Sequence, residues 1–262
     1  MNDLLNIEKQ DRMLFKRHFI RNVILEFNFP NLKKDILLSN IENLNKSFSK
    51  IGFDRLIQMK QIEFKMTVDK DVPEQITHDK EVIGLLLFDD DKKIRIEILE
   101  TKMIISIFKY LNFDKFIEQV QEIIDILYKV APENNVITKM SLRKQNSIIS
   151  TETKSFDDLT FILNEPLLSV IRTSIVPFEN FDFAQDEFRV IKDKYKCRIS
   201  SDCRRRSADE FEINLNILVI DDNHYNIENI SNKLRELNNF NFSVFCWATT
   251  DKFKQIMNEE GN

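Results

Sequence analysis

Glycine is the residue this chain most lacks. Among 262 residues there are three, Gly52, Gly84 and Gly261, each solitary. Loops that cradle phosphates need several glycines at fixed spacing so that backbone N–H groups can reach the oxygens, so P-loop and dinucleotide-binding fingerprints are excluded. Cysteine is scarce as well. Cys197, Cys203 and Cys246 are odd in number and lack paired spacing, which fits reduced thiols in a cytoplasm. Neither they nor His18, His78 and His224 stand at zinc-ligand spacing, and no sequence feature supplies a cysteine with a catalytic base. No apolar run reaches the roughly 18 residues that a membrane helix requires. The first ten residues show no apolar stretch of the kind a secretory signal carries. An excess of positive charge is also missing. At a formal charge of −5 the chain has no general attraction for phosphate backbones, so nucleic-acid binding would demand a local basic face.

What is present is apolar and charged in ordinary proportion, 42% and 31%, with twenty-two Phe. That composition is globular, and the length suffices for one large domain or two small ones. After a polar leader (1–21), Val23, Leu25, Phe27 and Phe29 alternate with polar or outward positions, the period of a strand with one buried face. From Ile36 the spacing of Leu37, Ile41, Leu44, Phe48 and Ile51 predicts a helix, closed by Gly52. Ile62 to Val68 alternates again. A polar loop around Pro73, the apolar strand Val82 to Phe88, an Asp89-Asp90-Asp91-Lys92-Lys93 turn and strands over 94–98 and 103–110 follow. Short polar links imply an antiparallel meander, because parallel strands need long crossovers. Asn112 or Asp114 can cap a long helix whose stripe is Phe113, Phe116, Ile117, Val120, Ile123, Ile124, Leu127 and Val130.

The second half reads similarly. Val136 to Ile149 is a long strand, Ser155 caps a short helix to Leu163, and extended segments fall near 168–176, 188–192, 195–200 and 211–221. Residues 226–257 are mainly helical, with 240–247 strand by propensity or helix by continuation. The expected fold is α+β: two antiparallel β-sheets, each packed on a long helix, built from a duplicated strand-helix-meander-helix unit. Residues 22–132 form one unit and 133–262 the other, packed into one compact body. The order is similar to the saddle-like repeats of TATA-binding proteins, an analogy of fold alone.

Candidate chemistry is thin. Asp89-Asp90-Asp91 lacks the alternation of a calcium loop and reads as a turn. Asp221 and Asp222 end an apolar strand, where paired acids hold Mg²⁺ in some nucleases, though solvation of a strand end explains the same residues. Two basic patches stand out: Lys139, Arg143 and Lys144 along one strand, and Arg198, Arg204, Arg205 and Arg206 around Cys203. The second has the guanidinium density to grip phosphates or an acidic partner, and also suits a solvated hairpin tip.

Leu142, Arg143 and Asn146, the strand Val23 to Pro30, the run Ile217 to Asp222 and the closing Thr249-Thr250-Asp251 together resemble a sporadically distributed prokaryotic protein family of about this length, known by a catalogue label rather than a function. Lys144 and Gln145 depart from the aromatic and aliphatic residues usual there. The resemblance implies a bacterial chromosomal or mobile-element protein, sometimes suspected of belonging to defence loci, and a helical 240–247. Arg143 and Asn146 are its candidate site residues, yet a regular strand points them to opposite faces. The resulting expectation is a cytoplasmic, non-catalytic binding or assembly protein, an accessory or sensor subunit with a protein partner or a second copy of itself. No cofactor and no membrane are expected. The alternatives are a nucleic-acid binder using Lys139, Arg143, Arg198 and Arg204–Arg206, and a divergent metal-dependent nuclease centred on Asp221 and Asp222.

Overall fold

The structure, a computed structural model, describes residues 7–10, 15, 19–30, 32–69, 72–89, 91, 93–110, 112–132, 136–151, 154–168 and 177–259, with side chains 62–80 left aside. The basic cluster Lys16, Arg17, His18 and most of the extended segment expected near 168–176 lie outside these residues.

Alternating apolar residues make the strands, and their pairing departs from the expected two sheets. Strand β1 (Ile20–Asn28) is followed by helices α1 (Lys34–Ser39) and α2 (Ile41–Ser49). The meander β2 (Arg55–Asp69), β3 (Val72–Asp89), β4 (Ile94–Leu99) and β5 (Lys102–Ile107) comes next, then helix α3 (Phe113–Val130). Strand β5 returns to pair with β1. The second half winds the same way: a short β6 (Val136–Ile137), then β7 (Lys139–Ser150), α4 (Phe156–Thr160), and the meander β8 (Phe183–Lys192), β9 (Tyr195–Arg205) and β10 (Phe211–Asp221). Strand β10 returns to β7. A short β11 (Tyr225–Asn226) pairs with β6, and helices α5 (Ile230–Ala248) and α6 (Asp251–Asn258) close the described chain.

The correction lies at the centre. Strands β1 and β7, which open the two halves, pair antiparallel with Leu25 opposite Leu142. Nine strands therefore form one sheet in the order β2-β3-β4-β5-β1-β7-β10-β9-β8. Two separate sheets would each have left an apolar strand with an unpaired edge, and joining them satisfies both rows of backbone groups.

Two local expectations also shift. The single helix from Ile36 breaks at Asn40, whose side-chain amide donates to the Ile36 carbonyl at 3.0 Å and competes with the helical ladder. The loop around Pro73 is instead the far end of the β2–β3 hairpin. There Pro73 faces Val68 beside a register shift, a position where a missing N–H is tolerated. Glycine serves a packing need at one site: a Cβ on Gly84 would lie 2.3 Å from the Ile98 carbonyl oxygen across the β3–β4 ladder.

Each of the six α-helices named above supplies buried side chains to one hydrophobic core, which also contains Val23, Leu25, Phe27, Ile96, Ile105, Leu142, Leu215 and Ile217 from the sheet. Helix α3 buries the expected stripe from Phe113 to Leu127, and Asn112 caps it by accepting from the Lys115 N–H at 2.9 Å. Helix α5 includes 240–247 and lies on β7 and β10. One sheet face is thus covered by helices.

Candidate functional site

Because partners across an antiparallel ladder share a face, the register assigns every strand residue to the covered or the open side. On β7 the buried set is Met140, Leu142, Lys144, Asn146, Ile148 and Ser150, and the outward set is Lys139, Ser141, Arg143, Gln145, Ser147 and Ile149. Asn146 and Arg143 therefore part company. Asn146 is buried, donating to the Leu215 carbonyl at 3.1 Å, and is a structural residue. Lys144 is buried beside it, its ammonium 2.6 Å from Asn238 Oδ1 and over the Phe113 ring at 5.4 Å.

Arg143 lies on the open face at the middle of the sheet. Following the register outward from it in both directions gives one continuous row. Toward β8 come Leu218, Arg198 and Arg189. Toward β2 come Ile24, Ser106, Arg95, Phe88 and Arg55. Five arginines thus stand in a single line crossing all nine strands, interleaved with apolar or small side chains. Strands repeat at about 4.8 Å, so the line extends for roughly 40 Å and Arg143 stands roughly 10 Å from Arg198.

The arginines differ in what already holds them. Glu187 accepts from Arg198 Nε at 2.7 Å and from Arg189 Nε at 3.0 Å, and the Arg198 hydrogen bond above all holds its carboxyl below the usual glutamate value. Arg95 pairs with Glu97 at 2.9 Å. Arg55 sits over the Phe88 ring at 5.6 Å. Arg143 forms no hydrogen bond or ion pair among the described residues. It lines, with Gln145, Arg198, Ser200, Asn216 and Leu218, a shallow depression of about 160 Å³ whose walls are amide, hydroxyl and guanidinium apart from Leu218.

The Arg-rich turn divides differently from its sequence appearance. Arg204 is exposed on the open face, over the Phe183 ring at 5.7 Å. Arg206 pairs with Glu212 at 3.6 Å and Glu210 at 3.8 Å. Arg205 is structural: it donates to the carbonyls of Phe181 and Ala208, each at 2.7 Å, and to that of Phe178, and its guanidinium lies 4.7 Å from the Phe211 ring centre. Arg205→Ala should therefore cost about 2–3 kcal/mol, since hydrogen bonds from a charged donor, two of them part-buried, and the guanidinium's packing on Phe178 and Phe211 are lost. Arg204→Ala should change stability by less than about 0.5 kcal/mol. Chemical denaturation of both variants reads the contrast, and equal midpoints would refute the structural role of Arg205.

Asp221 and Asp222 are not alike either. Asp221 is buried and accepts from Tyr225 Oη at 2.6 Å, from Asn223 Nδ2 at 2.6 Å and from the Asn223 N–H at 3.1 Å, with Lys194 Nζ at 3.3 Å. Burial pushes its carboxyl up, but the hydrogen bonds from Tyr225 and Asn223 outweigh this and hold it below the ordinary aspartate value. Asp222 is exposed and pairs with Lys196. Asp221 thus spends its oxygens on the turn that carries the chain from β10 into α5. Among the described residues no three His, Cys, Asp or Glu side chains gather as a metal site would require. Cys197 and Cys203 are buried, their thiols pushed up to about 12 by desolvation, which suits packing rather than nucleophilic attack.

Compared with protein-family models, with curated proteins and with solved structures, the chain matches none. The likeness to TATA-binding proteins accordingly draws no support from solved folds. No described helix is long and apolar enough to cross a membrane.

Sequence reading found Arg143, Arg198 and Arg204 on the open face, and Lys139 at its edge. It missed Arg55, Arg95 and Arg189, together with Gln145 and Asn216. These residues are scattered along the chain from Arg55 to Asn216 and meet only through strand register.

Proposed function

We propose that this protein is a non-catalytic binding protein whose binding surface is the sheet face that no helix covers among the described residues. The observation that carries the reading is the line of five arginines across that face, with the central Arg143 unpaired among the described residues. A sheet that only needed a solvated back would have its charges matched locally, as Arg95–Glu97 and Lys196–Asp222 are. The amide and hydroxyl positions around Arg143 add donors and acceptors without a catalytic pair. The expected accessory or sensor role in a bacterial defence or mobile-element system is consistent with such a surface.

Lysine acylation read by mass spectrometry tests this. Lys139 and Lys196 edge the open face, whereas Lys115 and Lys129 lie on exposed positions of α3. In native lysate Lys139 and Lys196 should label several-fold less than in purified protein, while Lys115 and Lys129 label equally in both. Uniform labelling in the two samples would overturn the reading.

A further inference from the structure

We infer that the occupant of the open face is a nucleic-acid strand, its phosphates held along the arginine line with Arg143 and Arg198 as the central anion site. The inference rests on the open face being a binding surface and names the chemistry of what it binds.

Three features favour nucleic acid over an acidic peptide. First, the charges are guanidinium groups, whose planar fork matches phosphate oxygens in pairs, and they recur along a line rather than cluster in one patch. A line roughly 40 Å long accommodates several consecutive backbone phosphates. Second, apolar side chains alternate with the arginines: Phe88 lies between Arg55 and Arg95, and Leu218 between Arg143 and Arg198. That alternation suits a ligand in which charged phosphates alternate with sugars and bases. Third, the row beside the arginines on the central strands is Asn22, Gln145, Asn216 and Ser200. Carboxamides donate and accept at once, as base edges do, whereas a glutamate-rich peptide would require donors alone. The chain's net charge of −5 confines the attraction to this face, so affinity should be modest and steeply salt-dependent.

The free protein shows how Arg198 takes an anion. Glu187 occupies one side of its fork, and the side toward Leu218 and Arg143 borders the depression. A phosphate seated there would bridge the two guanidinium groups, with Ser200 Oγ and Asn216 Nδ2 as additional donors from the same wall.

The experiment uses the full chain with a fluorescent 30-nucleotide single strand, the matching duplex and polyglutamate, by anisotropy at low and moderate salt. Binding of either nucleic acid is expected, with affinity falling as salt rises. Arg143→Gln should weaken it about tenfold and flatten the salt dependence by the equivalent of about one phosphate contact. Asn216→Asp guards against mere unfolding. It sets a carboxylate on the wall of the depression that Arg143 and Arg198 share, so its melting temperature should hold or rise while nucleic-acid binding is lost. Absence of binding by both nucleic acids, unchanged affinity in both variants, or equal binding of polyglutamate would overturn the inference. Should nucleic acid fail while Lys139 and Lys196 remain protected in lysate, only the ligand class falls. If that protection is absent too, the binding face itself falls with it.

Discussion

Ile124→Asp should leave no cooperatively folded protein. Ile124 is 1% exposed on the core side of α3, with Phe29, Leu32, Leu127 and Ile227 lining the same narrow gap. Those neighbours come from the segment after β1, from α3 itself and from the turn before α5, so the position ties both halves of the chain to one core. Losing its burial removes roughly 1.5–3 kcal/mol. Placing a carboxylate among those neighbours costs several kcal/mol more, because the side chains of Phe29, Leu32, Leu127 and Ile227 are apolar and cannot donate to it. The sum rivals the roughly 5–15 kcal/mol by which domains of this kind are stable. Ile124→Val, which deletes one methylene, should cost only about 1 kcal/mol. Thermal melts followed by circular dichroism distinguish the two. A cooperative Ile124→Asp transition near that of the wild type would mean that α3 is not the packing spine of the core.

Asp221 should be the most costly polar residue to remove. With Tyr225, Asn223 and Lys194 all directed at its carboxylate, Asp221→Ala strands their donors and should cost about 3 kcal/mol at neutral pH. Asp221→Asn keeps the shape but not the charge and should fall between. The pH dependence follows from the depressed carboxyl. The charged form is favoured in the folded state, so this contribution is complete above the unfolded-state value of about 3.9. It is then lost as pH falls further, through the lower folded-state value. The gap in melting temperature between wild type and Asp221→Asn should therefore be constant from pH 7 to about 5 and close below about pH 4. A gap that persists at pH 3 would show that the charge is not what matters. The same variant addresses the nuclease alternative: with its oxygens already committed, Asp221 is a poor Mg²⁺ ligand, and neither wild type nor Asp221→Asn should cleave DNA or RNA with Mg²⁺ or Mn²⁺. Mg²⁺-dependent cleavage abolished by Asp221→Asn would reinstate that alternative.

The residues whose sequence context misleads do so for a common reason. Arg204, Arg205 and Arg206 are neighbours in the chain, and adjacency suggests a joint site. A strand end sends neighbours in different directions, so Arg205 turns to backbone carbonyls, while Arg204 and Arg206 turn to the open face, Arg206 pairing there with Glu212. Asn146 shares a motif with Arg143 but falls on the opposite face, as the two-residue period requires.

No sequence motif marks the arginine line. Its members Arg55, Arg95, Arg143, Arg189 and Arg198 come from different strands, and no spacing along the chain joins them.

The sequence by itself determined the elements. Alternation placed β1, β4 and β10, the 3.6-residue stripe placed α3, Asn112 and Ser155 marked helix starts, and the scarcity of glycine removed nucleotide-cradling loops. These are local properties, settled by which side chains can turn inward over a few residues. Tertiary structure decided that β1 and β7 join two meanders into one sheet, and which arginine stands beside which. Strand pairing and register are long-range agreements between backbone edges, and a shift of one residue would send the whole line to the other face.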